Sequence, residues 1–121
     1  YAYMGLMKTE TGNQLVLYSG TVIQKEYEGE ARELREVSFP FENDGAYLKV
    51  EVFRNKTYRF FWSGDGIHYT SIGGDYPLRR ATWTGAKLCL WSSNNKNVIS
   101  EGYGEYDFIH IEDRSSCETG L

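Results

Sequence analysis

The chain has 121 residues, room for one domain of ordinary size. Hydrophobic residues make up 40% and charged residues 25%, with 16% aromatic and two prolines, which excludes a disordered or fibrous polymer. Thirteen Lys and Arg against 17 Asp and Glu give a net charge of −4, so there is no basic footprint for nucleic acid or an anionic membrane surface, and no apolar run approaches the ~20 residues of a membrane helix.

Period-2 alternation recurs along the chain and turn residues interrupt it at short intervals, which predicts an all-β antiparallel sandwich. The predicted strands are 2–7, 14–19, 34–39, 46–53, 57–63, 67–72, 85–91 and 103–111. The chain opens at Tyr1 directly in the apolar pattern Tyr1-Ala2-Tyr3-Met4-Gly5-Leu6-Met7, which reads as a fragment. If its first strands are missing, the fragment exposes an unpaired edge and an apolar face, which favours a homodimer. The stretch QKEYEGEARELRE, residues 24–36, carries most of the charge density and reads as a solvated loop or edge strand in preference to a helical turn.

Further along, Ala46, Leu48, Val50 and Val52 share one strand face while Lys49 and Glu51 take the other, so one face is core. Asn55-Lys56 predicts a hairpin, and Ser63-Gly64-Asp65-Gly66 turns the chain again, with Asp-Gly suited to a positive φ. Between these breaks Tyr58, Phe60 and Trp62 alternate as a core face does. Cys89, between Leu88 and Leu90, reads as an inert buried thiol; Cys117 lies in a polar tail, DRSSCETGL, that follows a sandwich domain of residues 1–112.

Chemistry has few places to sit. Glu105 and Asp107, at i and i+2 on a predicted strand, share a face as paired carboxylates of a glycosidase must, and resemble the start of the E-x-D-x-x-E or E-x-D-x-x-x-E signature of laminarinase-like hydrolases. Glu112 comes one residue too late for the longer form, and alternation sends it to the opposite face. His68 and His110 lack a nucleophile or second ligand at suitable spacing. Aromatic side chains are the stronger signal, because flat apolar faces stack on the C–H surface of a pyranose. Trp83, Tyr76, Tyr69 and Tyr103 are the candidate sugar-binding residues, Tyr76 and Trp83 from a polar stretch that favours exposure. Asp107 is the candidate ligand of a structural Ca²⁺, of the kind that fixes sandwich ends through oxygen donors.

YRFFWSGDGIHYTSIG, residues 58–73, resembles the pattern F-x-Y-S-x-D-G-x-x-W-x-x-I/L-G of the C-terminal domain of family 43 glycoside hydrolases, the β-xylosidases and α-L-arabinofuranosidases. Four further segments resemble that domain in the same order and spacing: Ala2 to Lys8, Ala46 to Val52 (AYLKVEV), Trp83 to Trp91 (WTGAKLCLW) and Gly102 to Phe108 (GYGEYDF). Tyr69 and Cys89 stand where the family's pattern has Trp and Gly. The resemblance implies a jelly roll of the concanavalin A-like lectin and glucanase type. It implies an accessory domain packed on a separate catalytic propeller that carries the catalytic carboxylates, with Trp83 lending its ring to the rim of the pocket. The implied substrate is a xylan-type oligosaccharide or polysaccharide. The alternative is an independent lectin-like module whose exposed aromatics bind glycans; a complete hydrolase, needing Glu105, Asp107 and a third acid to converge, is a third reading.

Overall fold

A computed structural model of the chain describes residues 1–25, 28–43, 45–79, 87–93 and 104–113, with the side chains of 22–31 left aside. The chain divides into two units, Tyr1–Ala86 and Lys87–Leu121. In the first, β1 (Ala2–Thr9), β2 (Gly12–Lys25) and β3 (Glu28–Pro40) form one antiparallel meander, and β4 (Tyr47–Val52), β5 (Thr57–Ser63) and β6 (Thr70–Pro77) form a second. Among the described residues every regular element is a strand, which makes the architecture an all-β sandwich of two antiparallel sheets.

Alternation decides which faces meet. Leu15 and Leu17 of β2 pair with Leu6 and Met4 of β1 and with Phe39 and Val37 of β3, so these residues share a face. Tyr58, Phe60 and Trp62 of β5 do the same in the second sheet, opposite Val52, Val50 and Leu48. The apolar faces close on a core of Leu15, Leu17, Phe41, Phe60 and Ile72, with Met4, Val37, Phe39, Val50, Tyr58, Trp62 and Tyr76 packed around it. Trp62 meets Phe39 at 5.3 Å and Phe41 edge-on at 5.6 Å between ring centroids. Truncating Leu15 or Leu17 to Ala in such a core costs about 2–5 kcal/mol.

The Asn55-Lys56 hairpin forms as predicted. Lys56 takes φ 63°, Asn55 Oδ1 accepts from the Thr57 amide and hydroxyl, and Phe53 N donates to Thr57 O at 2.8 Å. The turn after β5 also forms, with Gly66 at φ 78°, but it consumes the start of the strand predicted at 67–72. The Asp65 carboxylate accepts from the Ile67 and His68 amides, which are thereby withdrawn from any ladder, and β6 begins at Thr70. At the far end β6 continues to Pro77 through an irregular pairing, Phe60 opposite Ile72 and then Tyr58 opposite Tyr76.

Four other expectations are corrected. β2 and β3 run well past 19 and begin well before 34, because the β-branched run Thr21-Val22-Ile23 extends the ladder through the charged stretch; β3 is the edge strand that stretch allowed. Leu48 and Val52 are 41% and 62% exposed although they share Val50's face on β4, which is an outer strand of its sheet among the described residues. Cys89 is exposed, and Leu88 and Leu90 beside it are exposed as well, so the apolar flanks do not bury the thiol. The described parts of the last two predicted strands, 87–91 and 104–111, are not strands. There the Tyr106 hydroxyl donates to the Trp91 carbonyl at 2.7 Å.

Candidate functional site

Two of the four predicted sugar-binding residues, Trp83 and Tyr103, lie outside the described residues. Tyr76 does not present a free ring. It packs on Tyr58 and Phe60 at 5.7 and 6.1 Å, half-buried at the core margin, and burial pushes its hydroxyl up. Tyr69 follows the turn after β5, and the Lys49 ammonium sits 4.4 Å from its ring centroid and 4.7 Å from that of Phe61. Lys49 also meets Glu51 at 3.2 Å. The outward face of β4–β6 is thus laced by charge, an arrangement Arg59 extends by gripping Asp75 with Nε and Nη2 at 2.5 and 2.9 Å. That fork holds the Asp75 carboxyl below its usual range and raises Arg59.

The turn at Asp65 gathers several hydrogen bonds on one carboxylate. Ser63, 1% exposed, donates from Oγ to Asp65 Oδ1 at 2.8 Å and accepts from the Asp65 and Gly66 amides. Asp65 Oδ1 takes two more amides at 2.8 Å, and Oδ2 lies 2.7 Å from His68 Nδ1. The imidazole bond, followed by those amides and the Ser63 hydroxyl, holds the Asp65 carboxyl far below the ordinary carboxylate range. An ionised Asp65 can only accept, so His68 Nδ1 carries the proton of this hydrogen bond. The His68 side chain is exposed.

Glu105 and Asp107 lie in the second unit, both exposed. Because that segment is not a strand, the i, i+2 argument for a common face loses its basis. Among the described residues no three His, Cys, Asp or Glu gather in a metal-binding group.

A cluster that the sequence reading passed over lies on the outward face of β1–β3. The Tyr3 and Tyr18 rings stack at 5.2 Å with 15° between planes, and Tyr1 lies parallel to Tyr3 at 6.3 Å and 5°. One carboxylate holds two of the hydroxyls: Tyr1 donates to Glu33 Oε1 at 2.8 Å and Tyr3 to Oε2 at 2.9 Å. Arg35 donates from Nε to the Tyr18 hydroxyl at 2.9 Å, its guanidinium 5.5 Å from that ring. Farther along the face Ser38 donates to Gln14 Oε1 at 2.7 Å. Burial, with the charge and hydrogen bond of Glu33, pushes Tyr3 up to about 12 and raises Tyr1 too. The signal was present in the residue numbers: Tyr1 and Tyr3 share a parity, and pairing the first two predicted strands sets Tyr3 opposite Tyr18. A list of strands without a register does not display it.

A family model described as the beta-xylosidase C-terminal concanavalin A-like domain matches residues 1–112. No curated protein and no solved structure matches the chain.

Proposed function

Because the chain belongs to the family of beta-xylosidase C-terminal concanavalin A-like domains, we propose that it serves as the accessory sandwich of a family 43 glycoside hydrolase acting on xylan- or arabinoxylan-derived glycosides. The observation that carries this reading is the extent of the match, which runs through both sheets and on into the second unit. In this role glycosidic cleavage belongs to a pair of carboxyl groups on a separate catalytic domain, facing each other across the sugar. The sandwich contributes shape. Trp83 is the residue whose ring closes the rim of that pocket by stacking on a sugar face, which favours short oligosaccharides over polymer.

The test compares the parent enzyme and this chain alone on aryl β-xyloside and aryl α-L-arabinofuranoside, and then the parent carrying Trp83→Ala. The expected result is an active parent, an inert chain, and a Trp83→Ala enzyme that loses its preference for short xylo-oligosaccharides. An active isolated chain overturns the accessory reading, and unchanged chain-length preference overturns the role of Trp83.

A further inference from the structure

We infer that the outward face of β1, β2 and β3 is a glycan-binding surface, with Tyr1, Tyr3 and Tyr18 as its stacking row and Glu33, Arg35, Gln14 and Ser38 as its hydroxyl partners. The outward face of an antiparallel sheet is ordinarily polar and solvated. Here Tyr3 and Tyr18 face each other in register on it, Tyr1 adjoins them through its backbone bonds to Gly20, and Tyr1 is 47% exposed.

The rings are ordered in advance. Glu33 fixes two hydroxyls and Arg35 the third, so the rotamer freedom that binding would otherwise remove is already restricted. Gly20 belongs to the same arrangement: a β-carbon there would collide with Cζ and Oη of Tyr1, whose side chain reaches over it towards Glu33.

The chemistry of the face selects the class of ligand. Glu33 and Arg35 offset each other's charge, so the row attracts neither an anion nor a cation. Carboxylate, guanidinium, amide and hydroxyl groups together offer both acceptors and donors, which suits a partner whose own groups act as both. Three rings in succession suit an extended chain better than a single terminal sugar. The occupant these features fit is an uncharged polysaccharide strand of xylan type. The choice of sugar rests on the carbohydrate reading of the family; the location of the surface does not.

The experiment uses the 121-residue chain in native gels containing xylan or arabinoxylan, with xylohexaose titrated calorimetrically and mapped by amide chemical shifts. The expected results are retarded migration, shifts concentrated on β1–β3, and affinity weakened about tenfold or more by Tyr18→Ala while Tyr18→Phe, which keeps the ring, stays within about threefold. Phe61→Ala, on the other sheet, leaves binding unchanged. No retardation by either polymer overturns the proposal, as do shifts confined to β4–β6 or a Tyr18→Ala chain that binds like the wild type. The shift map is read on the unmutated chain, so a variant that fails to fold does not spare the proposal. An inactive parent with a retarded chain removes the accessory reading alone; an active parent with an unretarded chain removes this one alone.

Discussion

Leu17 of one sheet fills the space above Gly73 of the other, so that a β-carbon at position 73 would collide with Leu17 Cδ2 and stand 2.9 Å from the Tyr76 hydroxyl. Gly73 also takes φ 72°, where side chains are strained whatever the room. Leu17 therefore occupies the room a side chain would need where β6 departs from regular pairing. Gly73→Ala is expected to cost about 2–4 kcal/mol, strain and overpacking together. Gly74→Ala, whose β-carbon meets nothing within 4 Å, is its control. Chemical denaturation of the two variants checks this, and equal midpoints would show that Leu17 and the backbone yield without cost.

The Asp65 turn predicts a pH dependence with a definite sign. Its carboxyl is held below the ordinary value of about 4, so the folded state is stabilised while Asp65 is ionised. That contribution is complete above the unfolded value and is lost as pH falls below about 4 towards the folded one. Asp65→Ala should lower the melting temperature near neutral pH, and the gap to wild type should narrow as the solution is acidified. A gap that is constant with pH would mean that the turn is held by backbone alone. Ser63→Ala removes the buried hydroxyl that receives two amides, with an expected loss of about 1–3 kcal/mol.

Tyr3 acts at the other end of the scale. Its hydroxyl is pushed up to about 12, which favours the fold as long as the phenol is protonated. This stabilisation is present below the unfolded value near 10 and is lost as pH rises from there through about 12. Tyr3→Phe should flatten the alkaline limb of the stability curve, and ultraviolet titration should show one fewer late-ionising tyrosine. An unchanged limb would assign the late ionisation to other tyrosines.

Cys89 gives a direct check on the second unit. With Cys117→Ser in place, the native protein should react with a thiol reagent at the rate of an open cysteine. Labelling only after denaturation would return Cys89 to the buried site that its leucine neighbours suggested.

These sites also show what the sequence could disclose. Tyr58, Phe60 and Trp62 were legible because alternation on a strand packed against a facing sheet has one physical reading. The turn after Ser63 was legible from Asp-Gly chemistry, yet the cost to the next strand was not, since it depends on which amides one carboxylate takes. Leu48 and Val52 have Val50's parity but not its neighbours; position within a sheet is a long-range property that a local pattern does not encode. The Tyr1, Tyr3 and Tyr18 row failed to appear for the same reason, because it exists only once β1 and β2 are paired in register. The family resemblance crossed that gap for the fold, since five motifs in order carry long-range information that alternation lacks.

The Glu33 carboxylate joins β1 to β3, which are not neighbours, by reaching over β2 to two hydroxyls. Peeling β1 away must therefore break bonds anchored on the opposite margin of the sheet as well as its own ladder. Fraying of the first strand and fraying of the third are tied into a single event, and their amide protons should exchange with solvent as one cooperative unit.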